Sequence, residues 1–311
     1  MDTMRAVRIH HFGGLEALQP ENVAIPSPAA GEVRVKVFAA GLNPVDYKTR
    51  AGKYPLVRED KLPYTLGRDF AGRVDTPAGD GLEVGDAVYG FVGQGQGAFA
   101  EYVVVGRDAL APKPASLDFR TAAAVPLAAL TAWQGLFDHG GVLAGQRVLI
   151  HAASGGVGHF AVQLARAEGA EVIATASGDG VEFVRSLGAD RVIDYRHEAF
   201  EQIVRDVDMV FDLVGGDTQA RSWQVLKEGG ALVSTIQAPS QELAAERGIR
   251  ATRYTARPDG GQLTEIGGLI DCGMVKVRVA AAFHFRDAVE AERRLEQGHL
   301  RGKLVLEVAP S

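Results

Sequence analysis

Cysteine is almost missing from this chain: Cys272 is the one thiol in 311 residues. That excludes an internal disulfide and any zinc site built on several cysteines. Long apolar runs are missing as well. A stretch of about 18 apolar residues, the least that crosses a bilayer as a helix, occurs nowhere, and the opening MDTMRAVRIHHF lacks the apolar centre of a secretory signal. Basic blocks are also lacking. The net charge is −6, whereas binding to nucleic acid draws most of its affinity from Lys and Arg on phosphates. These absences lead to the expectation of a cytoplasmic protein with no membrane and no nucleic-acid partner.

What is present is material for packed cores: 46% hydrophobic and 23% charged residues, far from the composition of a disordered chain. At roughly 100–200 residues per domain, two domains are expected. The first 120 residues read as short strands, EVRVKVFAAG and FAEYVVV among them, separated by turn-rich PSPAAGE, TPAGDGLEVGD and GQGQGA. From DFRTAAAVPLAALTAWQGLFDHG, an alanine-rich helix that Pro126 can kink, the texture changes. RVLIHAAS, EVIATAS, RVIDY, MVFDLVG and GALVSTI read as strands, with VGHFAVQLARAEG, VEFVRSLG, AFEQIVR and TQARSWQVLKEG as helices between them. Alternation of this kind predicts βαβ units on a parallel sheet. PDGGQLTEIGGLIDCG and FRDAVEAERRLEQG are predicted helices and KLVLEV a strand. Periodicity leaves open whether this tail joins the sheet or the first half.

The stretch HAASGGVG follows a strand and opens a helix. Ala153, Gly155 and Gly158 have the spacing of a dinucleotide fingerprint with alanine in the first place. Gly155 would let backbone approach a pyrophosphate, Gly158 would let helix and strand pack closely, and the N–H groups near Val157 would face the anion. Gly156 lies in the same turn. Two other readings stay open: a plain tight corner, or a degraded nucleophile elbow with Ser154, for which Asp212 and His284 would have to complete a triad. An acidic residue normally ends the second strand of an NAD site. Here the strand ends at Ala176 and Ser177, which favours NADPH with Ser177 as a donor to the 2′-phosphate. Asp179 argues mildly for NAD, and Arg196 is placed to fold back toward a phosphate.

AAGLNPVDYKTRAGKY, PYTLGRDFAGRV, GDAVYG, AAAVPLAALTAWQGL, HAASGGVG, SLGADRVIDY and GHLRGKLVLEV, in that order, resemble the medium-chain dehydrogenase/reductase superfamily. Within it they are similar to the zinc-independent quinone oxidoreductases and the alkenal/enone reductase-like proteins. The resemblance implies an α/β fold: a Rossmann doubly wound parallel sheet plus a GroES-like β-barrel domain. It implies a GroES-like part in 1–120, a Rossmann NADP-binding domain in 121–257, a tail in 258–311 that returns to the first domain, and an active site in the cleft between domains. It also implies a homodimer through the nucleotide domain. Zinc-dependent relatives carry Cys where this chain has Asn43, and Gly-His-Glu where it has Gly67-Arg68-Asp69. Since Asn43 and Arg68 cannot serve as ligands, no metal is expected.

The activity implied is NADPH-dependent hydride transfer to quinones or to the C=C bond of α,β-unsaturated carbonyls. The alternative is a nucleotide-binding redox sensor or structural protein with little turnover. Asn43, Tyr47 and Lys48 are the implied catalytic residues, Lys48 also reaching the nicotinamide ribose, and Tyr54 lines the cleft. Thr131, Gly215, Ile236 and Gln237 are placed at the nicotinamide end, Tyr195 against the adenosine, and Lys303 on a cofactor phosphate. Asp46 and Arg50 read as an ion pair holding their loop, Trp133 and Trp223 as packing residues, and Cys272 as a buried or half-buried thiol without chemistry.

Overall fold

The computed structural model describes residues 2–79, 81–93 and 97–309. In chain order the strands are β1 (Thr3–Ile9), β2 (Gln19–Ala24), β3 (Glu32–Leu42), β4 (Tyr64–Thr65), β5 (Asp69–Thr76), β6 (Ala87–Phe91), β7 (Tyr102–Gly106), β8 (Leu110–Pro112), β9 (Arg147–Ile150), β10 (Glu171–Ala176), β11 (Arg191–Asp194), β12 (Val207–Asp212), β13 (Leu226–Ser234), β14 (Arg250–Arg253), β15 (Val279–His284) and β16 (Lys303–Glu307). They fall into two compact units. One comprises Met1–Ala128, Arg257–Cys272 and Val277–Ser311; the other comprises Ala129–Ala256 and Gly273–Lys276.

The first unit is the GroES-like β-domain. Its main sheet runs β15-β16-β3-β5-β6-β8, with β7 also on β3, and β2-β1-β4 form a smaller sheet. β3 organises it. Val33, Val35 and Val37 point inward while Lys36 faces water, the period-2 pattern of a half-buried strand. From Ala39 to Leu42 every residue is buried, and the strand delivers Asn43 into the interior. β16 lies antiparallel to β3, Leu304 opposite Leu42, so the end of the chain closes over the start of the same segment. Val35, Val37, Phe70, Phe99 and Leu306 share one core. Each such side chain contributes about 1.5–3 kcal/mol by leaving water.

The second unit is a six-stranded parallel sheet in the order β11-β10-β9-β12-β13-β14. Val148, Leu149 and Ile150 are all fully buried, as expected of a strand covered on both faces. Strand order reverses between β9 and β12, and crevices for ligands open at the carboxyl ends of strands at such a switch point.

Several elements differ from the sequence expectation. The kinked helix at Pro126 is two helices, Phe119–Ala122 and Pro126–Trp133, the second continuing as one wider turn over Gln134–His139. Proline starts the second one, where its missing N–H leaves no bond unmade. The helix in TQARSWQVLKEG stops at Ser222, and β13 begins already at Leu226. β14 and β15 are strands that the alternation did not reveal. β14 is an edge strand with Arg250 and Arg253 exposed, so it carries no apolar run.

Candidate functional site

The glycine turn is built from below. β9 ends at Ile150, and the next residue, His151, is buried with Nδ1 3.1 Å from Thr175 Oγ1 and Nε2 3.0 Å from Ser222 Oγ. Burial pulls its pKa down to about 4, so the ring is neutral and ties β9 to β10 and to the helix Gly216–Ser222. The Ala153 N–H donates to the Thr175 carbonyl at 3.0 Å. Ala152 has φ +51°, a left-handed conformation that strains an alanine by about 1–2 kcal/mol. It turns the chain sharply out of the sheet, and its carbonyl accepts the Gly155 N–H at 3.0 Å.

The helix Gly158–Ala167 starts at this turn. A Cβ on Gly158 would lie 2.3 Å from the Ala152 oxygen and 2.6 Å from Ala153 Cα, so glycine is what lets the helix close on the strand. A Cβ on Gly155 would meet only the Ala152 oxygen, at 3.3 Å, and otherwise open space. Gly155, Gly156 and Val157 are half-exposed. The N–H groups of Gly156 and Val157 donate to no acceptor among the described residues. Unpaired N–H groups at a helix start form a ready anion site, so the turn fits the pyrophosphate of a dinucleotide.

At the carboxyl end of β10, Ser177 donates its hydroxyl to the Tyr195 oxygen at 2.9 Å, and Tyr195 is half-exposed. The two predicted adenosine-end residues are therefore neighbours, with no carboxylate between them. Asp179 begins the helix Asp179–Ser186. The Arg196 guanidinium has no partner among the described residues, its backbone N–H going to Asp194 at 3.0 Å.

Beyond β12 and β13, Gly215, Ile236 and Gln237 are brought together. Gly215 has φ +78°, and a Cβ there would meet Ile236 Cγ2 at 2.9 Å. The Gly216 N–H reaches the Gln237 side-chain oxygen at 3.0 Å. Asp212, fully buried, organises this corner by accepting from Val214 N–H (3.0 Å), Gly215 N–H (2.8 Å), Gln219 Nε2 (2.9 Å) and Ser234 Oγ (2.9 Å). These supporting residues carried no motif. Their one sequence signal was position, at or just past the ends of apolar strands. Asp212 has no lone pair left to orient a catalytic base, and His284 is exposed beside Glu307 at 3.8 Å, so the hydrolase reading loses both partners. Thr131 is buried, and its carbonyl accepts the Tyr254 hydroxyl.

In the first unit, Asn43 precedes the helix Pro44–Arg50. Its side chain is committed inside the protein: Nδ2 donates to Asp69 Oδ2 at 2.9 Å, and Oδ1 accepts from Lys303 Nζ. Lys303 also donates to the Leu42 carbonyl at 2.9 Å and pairs with Asp69 at 3.1 Å. Asp69 further accepts the Leu127 N–H at 2.7 Å. The expectation that Lys303 reaches a cofactor phosphate is therefore corrected. The residue is 4% exposed and its ammonium points inward, because an otherwise uncompensated buried carboxylate holds it there.

The Asp46–Arg50 pair is corrected too. Arg50 binds Glu292 at 2.6 Å and Glu296 at 3.0 Å, both on the helix Ala288–Glu296. Asp46 turns back to accept the Asn43 N–H at 2.7 Å, capping its own helix. Burial, with the nearby Glu292 carboxylate, pushes Asp46 up to about 8. Tyr47 and Lys48 are both half-buried. Burial and the Glu296 carboxylate raise the Tyr47 phenol, keeping it a proton donor, and the Lys48 ammonium has no partner among the described residues. Trp223 packs in the core and Trp133 lies edge-on to Phe137, as expected. Cys272 is exposed rather than buried, since it ends a helix at the surface.

Comparison with known proteins adds the family. Residues 29–115 match the alcohol dehydrogenase GroES-like domain, and residues 187–306 match the zinc-binding dehydrogenase model. The chain is 36% identical to a 2-methylene-furan-3-one reductase of Solanum lycopersicum, over 99% of this chain and 80% of that one. It superposes on the quinone oxidoreductase of Coxiella burnetii with a TM-score of 0.91 and 37% identity, covering 99% and 100% of the two chains. For the Escherichia coli quinone oxidoreductase complexed with NADPH the values are 0.88 and 30%, covering 98% and 100%.

The zinc in one model's description does not suit the residues here. Among the described residues no group of three His, Cys, Asp or Glu side chains is placed to hold a metal ion. Of the three residues that the resemblance sets where zinc ligands would stand, Arg68 is a cation, and Asn43 Oδ1 and the Asp69 carboxylate are already taken by the Lys303 ammonium. The chain belongs to the quinone oxidoreductase and enone reductase branch of the medium-chain dehydrogenase/reductase superfamily.

Proposed function

We propose that the protein is an NADPH-dependent oxidoreductase that reduces quinones or the C=C bond of α,β-unsaturated carbonyls without zinc. The observation that carries this reading is the half-exposed turn at Gly155–Val157, whose unpaired N–H groups open a helix. In this reading Gly155, Gly156, Val157 and Gly158 hold the pyrophosphate. Ser177 and Tyr195 hold the ribose-phosphate end, and Thr131, Gly215, Ile236 and Gln237 the nicotinamide end. NADPH, when bound, supplies the hydride. Lys48, a free ammonium, and Tyr47, a protonated phenol, are the groups that would bind the nicotinamide ribose or the acceptor oxygen. Asn43 acts through its bonds to Asp69 and Lys303, holding the start of the helix that carries both.

A 2-methylene-furan-3-one is itself an unsaturated ketone, and the Escherichia coli relative was solved with NADPH; both support the assignment. A homodimer and a cytoplasmic location belong to the same proposal, the latter suited to an exposed, unpaired Cys272. The test follows NADPH absorbance with a simple quinone and then with a short enal. Consumption with either supports the reading. Tight NADPH binding with no consumption across such acceptors favours a sensor instead.

A further inference from the structure

We propose that Arg68 is the fixed cation that binds the acceptor's oxygen as negative charge develops on it, making it a catalytic residue for enones and quinones. The inference deepens the reductase reading and rests on it for its turnover test, though its binding test stands alone.

Three cations are buried among the described residues of the first unit, Arg50, Lys303 and Arg68, and they are used differently; Arg50 is paired with Glu292. Lys303 is fully engaged, with three oxygen partners. Arg68 is 5% exposed, yet it forms no salt bridge among the described residues, acting only at longer range on the Asp46 carboxyl. Its sequence neighbour Asp69 belongs to Lys303 and Asn43, and Asp46 belongs to the Asn43 N–H. Nη1 donates to the Gly93 carbonyl, and Nη2 donates to nothing. The guanidinium lies 5.3 Å from the centre of the half-buried Tyr54 ring and 6.0 Å from that of the buried Tyr64 ring.

A buried guanidinium without a direct ion-pair partner is costly to keep, and so is a buried donor left unpaired. Aromatic faces offset part of that cost but satisfy no N–H. Hydride added to the β-carbon of an enone, with NADPH as its source, shifts the C=C pair so that charge rests on the carbonyl oxygen as an enolate. A proton from water then completes the saturated ketone and leaves NADP⁺. A quinone passes likewise through a hydroquinone monoanion. A donor with nothing to bind beforehand serves such an oxygen better than one that must first break a bond.

The probe is 4-nitrophenol, whose ionised form is coloured, titrated into the cofactor-free protein near the phenol's own ionisation pH. Wild type should bind the phenolate and raise its ionised fraction. Arg68→Met should lose that shift and lower kcat/KM for enone and quinone by about 10²-fold, with NADPH affinity changed less than twofold. Added guanidinium should restore part of both losses. If Arg68→Met does not fold, Arg68→Lys, which keeps the charge with fewer donors, should show an intermediate shift. A folded Arg68→Met or Arg68→Lys that matches wild type in phenolate binding overturns the proposal. Wild type that binds the phenolate but not NADPH overturns the reductase reading, and with it the catalytic role, and leaves Arg68 as an oxyanion-binding cation only.

Discussion

Replacing Gly155 and Gly158 in turn by alanine separates an anion cradle from a mere corner. At Gly158 the added methyl would sit 2.3 Å from the Ala152 oxygen and 2.6 Å from Ala153 Cα. Both are backbone, so about 1 Å of room must come from moving the helix off the sheet. Overpacking of this kind costs about 3 kcal/mol, more than the helix propensity that alanine returns, about 1 kcal/mol. The expected fall in Tm is about 4–8 °C. At Gly155 the nearest atom is 3.3 Å away and the remaining space is open, so Tm should move by less than about 2 °C. That methyl nevertheless occupies the half-exposed face where a pyrophosphate would approach. NADPH affinity should drop at least about tenfold, or about 1.4 kcal/mol. Calorimetric melting and NADPH titration of both variants read the two effects. A Gly155→Ala protein that binds NADPH as tightly as wild type would refute the cradle, and an undiminished Tm in Gly158→Ala would refute the packing argument.

Three further outcomes are expected. Asp46 has a folded-state pKa of about 8 against about 3.9 unfolded, so folding takes up a proton between those values. Its stabilising contribution is full below about pH 4 and lost as pH rises through 8; Asp46→Asn should flatten this slope in urea unfolding at pH 5 and 8, and an unchanged slope contradicts it. Lys303→Met strips the buried Asp69 of its ammonium and should cost about 3–5 kcal/mol in the same assay, a loss under about 1 kcal/mol marking the pair as dispensable. Dialysis against a strong chelator should leave NADPH consumption intact and elemental analysis should find no stoichiometric zinc; loss of activity restored by zinc would reverse the assignment.

Much of the fold was legible because its signals are local. RVLI, EVIATA and MVFD are apolar runs of strand length, and SGGVG announces the turn between the first of them and its helix. The clustering of Gly215, Ile236 and Gln237 followed from strand ends lying at one edge of a parallel sheet. The polar interior was not legible. Lys303 lies 260 residues from Asn43 and Arg50 lies 242 from Glu292, and no periodicity couples positions so distant. An Asp and an Arg four apart on a short helix invite a local pair, but the buried Glu292 is a stronger partner than its helical neighbour. β14 escaped notice because an edge strand with exposed arginines has no apolar face to betray it.

The most direct measurement is a calorimetric titration of the purified protein with NADPH and, separately, with NADH. Saturable binding of NADPH at one site per chain, tighter than that of NADH, is the predicted result. Binding of neither nucleotide would contradict the central claim, that the unpaired N–H groups at Gly156 and Val157 hold a dinucleotide's pyrophosphate.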